Sequence, residues 1–246
     1  MKKVLKFFLK IYLKYLTKLT IAIHRPLIIG ISGSVNKYFV KEEVKNALMS
    51  KDYKVRSAPK NFNTEIGLPL SVLYLPSGYN SYKAWLPIIF KAIPAIWKKD
   101  FPKILILELG ASEPGDMKYL LTVIKPQIAI ITDITQRYVE SFSDMDELVG
   151  EYEKLIAKLG NSGLLIFNND NNRIATIASR AKCEAVSIGS TEDADWQITN
   201  LNTVEDGQEV IVKNKNETKQ YKINKFGKHH VFSLIAGIVI KNYVEL

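Results

Sequence analysis

The chain has 246 residues, and 47% of them are hydrophobic, which supplies a sizeable buried core and excludes wholesale disorder. Its single cysteine, Cys183, cannot form a disulfide within the chain or build a thiolate metal site, so it reads as a small core residue in a reducing compartment. Of the net charge of +9, seven positive charges fall in residues 1–25, and the nearly neutral remainder argues against a nucleic-acid-binding protein.

Residues 1–25 are predicted to form a basic amphipathic helix. Lysine recurs at every fourth position from Lys6 to Lys18, which makes one slowly rotating stripe. The opposite face is apolar and comprises Leu5, Phe8, Leu9, Tyr12, Leu13, Leu16 and Leu19. So many lysines exclude a membrane-spanning helix, and no small-residue cleavage site follows. The pattern favours a helix on an anionic surface at the inner face of the cell membrane. The alternative is a helix packed on the domain or on a second subunit.

From Pro26 onward, predicted strands and helices alternate. Five apolar runs are predicted to be buried strands, at residues 26–32, 103–110, 127–132, 163–168 and 183–189. A further short strand is predicted at residues 53–58. Helices are predicted at 37–51, 114–124, 144–159, 172–181 and 229–246. Two segments stay open. Residues 61–75 run into a helix or a strand, and residues 81–100 form a packed surface helix or a second membrane-facing element.

The order of these elements predicts an α/β fold with a doubly wound, mainly parallel sheet. Residues 195–224 alternate apolar and polar side chains around two turn sequences, which is typical of an antiparallel ribbon at the sheet's edge. We expect two parts, a helix at 1–25 and one domain at 26–246. Ligands bind such sheets outside the carboxyl ends of the strands, where the segment after the first strand and Glu108 would both lie.

Six segments, in order, resemble the central ATP-binding domain of the Mur ligase family, nearest to its branch that adds D-alanyl-D-alanine to UDP-muramoyl tripeptide. GISGSVNKYFVKE at 30–42 is similar to the family's T-G-S-x-G-K-T-T-T-K-E, and NFNTEIGLPLSVL at 61–73 to N-F-N-N-E-I-G-x-P-L. LELGASEPGDMKYL at 107–120 resembles E-L-G-A-x-x-P-G-E-I-x-Y-L. The set is completed by KPQIAIITDI, FNNDN and GKHHVFSLIAG. The resemblance runs from about residue 26 to the last residue.

The resemblance implies a cytoplasmic, ATP-dependent and Mg²⁺-dependent amide ligase of peptidoglycan precursor synthesis, acting on a UDP-muramoyl peptide. It assigns the nucleotide to Gly33, Ser34, Val35, Asn36, Lys37 and Tyr38. It assigns the metal to Glu108, the adenine side to His230, and a substrate loop to Asn61, Asn63, Thr64 and Glu65. The alternatives are a solvated lysine at position 37 and an exposed strand-end acid at position 108.

Several positions depart from the family's pattern. Asn36 replaces a glycine, but asparagine tolerates positive φ better than other non-glycine residues, so the loop can keep its shape. Tyr38 replaces the threonine whose hydroxyl binds magnesium. Tyr138 and Tyr152 stand where the family has a metal-side histidine and a carbamylated lysine.

We therefore expect a nucleotide-binding domain whose catalysis is impaired in this chain alone. The family's N-terminal UDP-sugar-binding domain is expected to be missing, with the basic helix in its place, and the chain is expected to stop about where the C-terminal domain would begin. The alternative is a non-enzymatic pseudoligase that acts as a membrane-surface scaffold or as a binding partner in cell-wall synthesis.

Overall fold

A computed structural model describes residues 3–58, 62–79 and 81–244, without the side chains at positions 3 and 82. Its helices are α1 Lys3–His24, α2 Lys37–Met49, α3 Gly67–Leu73, α4 Tyr82–Ala95, α5 Asp116–Val123, α6 Met145–Leu159, α7 Asn172–Ala178 and α8 Lys228–Tyr243. Its strands are β1 Leu27–Ser32, β2 Val55–Ser57, β3 Ile104–Leu109, β4 Ile128–Ile131, β5 Leu164–Asn168, β6 Glu184–Gly189, β7 Trp196–Val204, β8 Gly207–Lys213 and β9 Thr218–Ile223. A short 3₁₀ turn covers Val139–Ser141.

The nine strands form one sheet in the order β2-β3-β1-β4-β5-β6-β7-β8-β9. Strands β1 to β7 pair in parallel, and β8 and β9 add an antiparallel ribbon at one edge. The predicted doubly wound, mainly parallel sheet with an antiparallel edge is therefore confirmed. The sheet order also brings β1 between β3 and β4, so the ends of these three strands lie next to each other.

The central strands are buried on both faces, which explains why they read as continuous apolar runs rather than as alternating patterns. Ile29 and Ile31 of β1 face a core layer shared with α2 and α8. Ile28, one position away, faces the opposite layer, shared with α3, α5, α6 and α7. Successive side chains of a strand point to opposite faces, so one strand supplies both layers.

The two segments that the sequence left open are both helical. Within residues 61–75 the structure forms α3, all of whose residues are buried. Within residues 81–100 it forms α4, which contains Pro87 and Pro94. The helix is capped by Ser81, whose Oγ accepts a hydrogen bond from the backbone N–H of Ala84.

Helix α1 packs on the domain through one side only. Leu9 and Leu13 are buried in a small apolar cluster that includes Leu70, Trp85 and Ile88 of α3 and α4. The expected single apolar face is therefore divided, because Leu5, Phe8 and Leu19 are exposed while the others named with them are buried or half-buried.

The lysines of α1 are turned largely toward the protein, which the sequence pattern did not predict. Lys6 and Lys10 contact the Glu65 carboxylate at 3.0 and 2.5 Å. Lys14 donates a hydrogen bond of 2.7 Å to Thr122 Oγ1, and Lys10 lies 4.0 Å from the centre of the Tyr119 ring. The basic stripe thus follows the contact with the domain, because these ammonium groups find partners there.

Across the described ranges, no helix has the length and apolar character needed to cross a membrane.

The packing of α1 can be tested with two leucines of the same helix. We expect Leu13→Ala to lower the free energy of unfolding by about 2–5 kcal/mol, because it empties a buried site. Leu19→Ala removes an exposed side chain and should change it by no more than about 0.5 kcal/mol. Urea denaturation followed by circular dichroism measures both. Equal, small effects would mean that α1 does not pack as described.

Candidate functional site

The candidate site begins where β1 ends. Ser32 pairs with Leu109 of β3 on one side and with Ile131 of β4 on the other, so all three strands reach the same edge of the sheet. Residues 33–36 cross this edge and lead directly into α2. A strand–loop–helix crossover at the carboxyl edge of a parallel sheet is the usual position of a ligand site in such folds.

Two residues give the loop its shape. Gly33 has φ +139°, and a Cβ at this position would lie 2.1 Å from Thr132 Oγ1, so only glycine fits. Asn36 has φ 66°, in the left-handed region, as expected for a residue that replaces glycine there. The loop therefore has a sharply turned backbone although position 36 is not a glycine.

The residues after β4 hold this backbone in place. The backbone N–H of Ser34 donates to the carbonyl of Asp133 at 2.7 Å, and Thr132 Oγ1 donates to the carbonyl of Val35 at 2.6 Å. Asn36 Nδ2 donates to the Asp133 carboxylate at 3.2 Å. Burial raises the pKa of Asp133, although the amide hydrogen bonds that it accepts oppose the shift.

The tip of the loop carries hydrogen-bond donors without acceptors. The backbone N–H groups of residues 35–38 make no hydrogen bond with any other residue that the structure describes. Two of them open the first turn of α2, where the helix dipole places partial positive charge. The Lys37 ammonium is buried beside them, and its one hydrogen-bond partner in the described ranges is the Gly33 carbonyl.

Lys37 is therefore not a solvated lysine. Burial lowers the pKa of its ammonium, Glu108 opposes that shift, and Arg137 adds to it. An ammonium has three N–H donors, so two remain for a ligand. Buried donors without acceptors carry a cost that an anionic oxygen would remove.

Glu108 lies under this loop and is buried, not exposed at a strand end. Its Oε1 is 2.8 Å from Lys41 Nζ, and both side chains are inaccessible to solvent. Neither atom makes a well-aligned hydrogen bond with any residue that the structure describes, so charge attraction rather than hydrogen-bond geometry holds the pair. Lys41 follows Lys37 by one helical turn, which places both ammonium groups on the same side of α2.

The residues near Glu108 do not fit a magnesium ion as they stand. The carboxylate is already neutralised by Lys41, and Tyr38 presents an exposed ring whose centre lies 5.0 Å from Lys41 Nζ. In the described part of the chain, no group of three or more His, Cys, Asp or Glu side chains is arranged to hold a metal. A metal role for Glu108 stays a prediction, and it requires Lys41 to move.

The other two tyrosines fill the space beside the loop. Tyr152 is completely buried, and its hydroxyl lies 3.3 Å from Ser34 Oγ. Burial raises the pKa of Tyr152 to about 12. Tyr138 adopts φ 75° at the start of the 3₁₀ turn and packs against the same core layer. These are the two positions that the sequence resemblance assigned to a metal-side histidine and a carbamylated lysine, and neither phenol supplies an imidazole or an amine there.

A cavity of about 430 Å³ opens beside the loop, between the carboxyl edge, the antiparallel ribbon and α8. Its polar lining includes Asn36, Asp133, Asn168, Asp170 and His229. Because Asn36 belongs to both loop and cavity, the two form one continuous site.

Of these cavity residues, Asp133, Asn168 and Asp170 were not singled out from the sequence. The signal was present, since Asn168 ends a predicted strand, Asp133 and Asp170 follow predicted strands, and all three lie in segments that resemble the family. Asn168 Nδ2 donates to the Asp133 carboxylate at 2.9 Å, which ties the ends of β4 and β5 together.

The two adjacent histidines are placed differently from each other. His229 lines the cavity, whereas His230, the residue expected on the adenine side, is not among its lining residues. The His230 ring packs edge-on against Phe39 at 4.5 Å, and its buried Nδ1 makes no hydrogen bond with the described residues. Burial lowers the pKa of His230, so it stays neutral over a wider pH range.

The expected substrate loop lies beside β3. The Asn63 carbonyl accepts a hydrogen bond of 2.9 Å from the Gly110 backbone N–H, and Thr64 Oγ1 accepts one of 3.2 Å from Gly67 at the start of α3. Burial alone would raise the pKa of Glu65, but its contacts with Lys10 and Lys6 lower it. Asn61 lies outside the described residues.

Comparison with known proteins identifies relatives of this chain. The family model described as Mur ligase middle domain matches residues 91–240. The UDP-N-acetylmuramoyl-tripeptide–D-alanyl-D-alanine ligase of Bacillus subtilis is 26% identical over 216 residues, which are 88% of this chain and 41% of that protein. The ligase of the same name from Borreliella burgdorferi is 30% identical over 154 residues, 63% of this chain and 28% of that protein.

Two solved structures share the fold. The MurF ligase of Thermotoga maritima in complex with ADP has a TM-score of 0.76 and 19% identity, covering 94% of this chain and 48% of that one. A crystal structure of MurF from Acinetobacter baumannii has a TM-score of 0.76 and 17% identity, covering 96% of this chain and 48% of that one. The chain thus spans less than half the length of these proteins.

The buried ion pair predicts a specific stability pattern. Glu108→Gln leaves the Lys41 ammonium buried without a counter-charge, so we expect a loss of about 3–5 kcal/mol in the free energy of unfolding. The double variant Lys41→Met with Glu108→Gln removes both charges and should recover most of that loss. Chemical denaturation of the two variants is the measurement. If the single variant is as stable as the wild type, the pair is not buried as described.

Tyr152 predicts sensitivity to high pH. Its pKa is about 12 in the folded protein and 10.0 for an ordinary tyrosine. The unfolded state ionises first, so the stabilisation is fully present below pH 10 and is lost as the pH rises to about 12, by roughly 2–3 kcal/mol. Tyr152→Phe should reduce that pH dependence. The measurement is the denaturation midpoint of the wild type and of Tyr152→Phe between about pH 9 and 11. If both midpoints fall with pH to the same extent, ionisation of Tyr152 is not the cause.

Proposed function

The chain belongs to the Mur ligase family through its middle domain, and on this premise we propose that it binds the phosphates of ATP at residues 33–38. The domain is related to the ATP-dependent ligases of peptidoglycan precursor synthesis. The proposal further holds that this chain alone does not complete the ligation. Binding and chemistry are separate claims, since they depend on different residues.

The observation that carries the binding proposal is the set of free donors at the loop. The N–H groups of residues 35–38 at the N-terminus of α2 have no acceptor among the described residues, and the Lys37 ammonium, which donates there only to the Gly33 carbonyl, has two N–H groups left. Helix N-termini with free N–H groups bind phosphate readily. Lys37, Lys41 and Arg137 carry three positive charges against the two carboxylates of Glu108 and Asp133, so one positive charge remains for an anion to balance.

The cavity supports the same proposal for the nucleoside end of the ligand. A volume of about 430 Å³ is within the range of small-molecule pockets. Its walls combine apolar residues of the ribbon and α8 with the polar groups of Asp133, Asn168 and His229. A nucleotide with phosphates at the loop would extend past Asn36 into this space. A role for His230 toward adenine would need its ring to leave Phe39.

The substitutions support impaired catalysis. Phosphoryl transfer depends on neutralising charge at the transferred group, which metal ions usually do. Here tyrosines stand at positions 38, 138 and 152, where the resemblance places a magnesium-binding threonine, a metal-side histidine and a carbamylated lysine. Lys37 and the loop amides would hold phosphates, but no step through a metal follows from this donor set. A domain can keep its fold and lose its catalytic activity, because activity depends on the residues of the site and not on the fold.

A second candidate is a non-enzymatic pseudoligase that acts as a scaffold at the inner membrane face. Its partner would be a UDP-muramoyl peptide beside Asn63 and Thr64, or a protein of cell-wall synthesis. The observation that favours it is the pair of exposed apolar helix faces on α1 and α4, which the nucleotide proposal leaves unexplained.

The binding proposal is tested by calorimetric titration with ATP, with and without Mg²⁺. We expect Lys37→Met to weaken ATP binding by about 10- to 100-fold, because a charge-assisted hydrogen bond contributes about 1.5–3 kcal/mol. Lys45→Met, on the same helix but away from the loop, is the matched control and should bind like the wild type.

No heat of binding at millimolar ATP would reject the nucleotide proposal and leave the non-enzymatic candidate. Ligation of D-alanyl-D-alanine to a UDP-muramoyl tripeptide by the purified chain, followed by phosphate release, would contradict the claim of impaired catalysis.

A further inference from the structure

Helix α1 presents a continuous apolar stripe to solvent. Val4, Phe8, Ile11 and Tyr15 are all exposed, Phe8 by 61%, and their spacing of four, three and four residues places them on one side of the helix. Single exposed apolar side chains are normal on a protein surface, but a stripe of large ones marks an interaction site. The stripe is separate from the side that packs through Leu13.

Helix α4 presents a matching stripe. Leu86, Phe90 and Ile93 are exposed at spacings of four and three residues, with Phe90 exposed by 71%. Trp97, one turn later, is also exposed. The opposite side of α4 is buried through Trp85 and its neighbours, so this helix too has a packed side and an apolar side that contacts nothing described.

The two helices lie side by side and run in the same general direction. Tyr12 donates a hydrogen bond of 2.8 Å to the carbonyl of Ile89, and further along both helices His24 Nε2 lies 2.7 Å from the carbonyl of Ile96. Tyr12 is the neighbour of Ile11, and Ile89 is the neighbour of Phe90. The stripes therefore join into one patch, which we call the two-helix surface.

The charge of the two-helix surface has a single sign. Residues 3–24 and 82–95 contain no aspartate or glutamate. Lys18 and Lys83 are exposed on the same sides as the two stripes, and further exposed lysines border them. A mixture of large apolar side chains and lysines without acids complements an anionic bilayer surface, with the apolar groups in the acyl boundary and the lysines at the phosphates.

We propose that the two-helix surface docks this protein on an anionic lipid bilayer. The geometry differs from the sequence-based expectation, because most lysines of the basic stripe bind the domain and the exposed face of α1 is mainly apolar. Tyr15 and Trp97 suit the headgroup region, where aromatic rings with one polar atom are favoured. The proposal specifies the membrane contact of the second candidate function and does not depend on nucleotide binding.

The test is co-sedimentation of the full chain with vesicles of phosphatidylcholine alone or mixed with phosphatidylglycerol. We expect binding only to the anionic mixture, and weaker binding in 1 M salt, where the screening length falls to about 3 Å. The variant Phe8→Asp with Phe90→Asp should abolish binding. Phe226→Asp, at an exposed phenylalanine beyond the ribbon, is the matched control and should bind normally.

The basic contribution is tested separately. Lys18→Gln with Lys83→Gln should weaken vesicle binding about thirtyfold, because each lysine near an anionic surface contributes about 1 kcal/mol. Lys215→Gln with Lys222→Gln changes the net charge equally on the opposite edge of the sheet and should have little effect. Equal loss in both pairs would show a nonspecific charge effect and overturn the assigned surface.

The position of Trp97 provides a direct readout. Its fluorescence should shift to the blue on binding anionic vesicles, and Trp97→Phe should remove most of that shift. A shift that persists in Trp97→Phe, or vesicle binding that survives the double phenylalanine variant, overturns the proposal.

A concentration-dependent dimer, seen by sedimentation velocity and abolished by Phe8→Asp with Phe90→Asp, would also overturn the proposal, since the surface would then join two copies of the chain. We expect Phe8→Asp with Phe90→Asp to bind ATP like the wild type. Loss of vesicle binding with unchanged ATP affinity would show that the two proposals succeed or fail independently.

Discussion

The buried contact between Lys41 and Glu108 is the constraint on which the candidate site depends. It joins α2 to β3 directly beneath the loop, and it does so with charges that solvent does not reach. Since removal of either partner would leave the other uncompensated, the helix cannot shift along the sheet at low cost. The position of Lys37, one turn earlier on α2, and the direction of the free N–H groups follow from that attachment.

The site combines a turned loop, which we propose binds an anion, with a neighbouring region where tyrosines stand at the positions that the resemblance assigns to metal binding. Gly33 and Asn36 preserve the turned backbone, and Asp133 with Thr132 holds it from the next strand. On the other side, a buried phenol at Tyr152 contacts Ser34. The loop and the neighbouring region depend on different features of the chain. Backbone geometry is enough to maintain the shape of a loop, whereas metal binding needs particular side-chain oxygens.

Helix α1 shows why periodicity alone is an incomplete guide to the surface. The spacing of Lys6, Lys10 and Lys14 correctly placed them on one stripe of the helix. It did not reveal which side of the helix faces the domain. Their contacts with Glu65 and Thr122 come from segments more than fifty residues away. Docking of α1 therefore buried much of the apolar face expected from the sequence and exposed a different apolar stripe, of which only Phe8 belongs to that expected face.

The sequence by itself determined the parallel sheet, its antiparallel edge and the loop after β1, because apolar runs, turn residues and helix starts are local signals. It also determined the kinship, through short motifs in order. Tertiary structure alone decided that Glu108 pairs with Lys41, that Asp133 and Asn168 line the cavity, and that His229 rather than His230 faces it. Those facts depend on which distant segments meet at one edge of the sheet, and no local pattern encodes distances between strands that are non-adjacent in the chain.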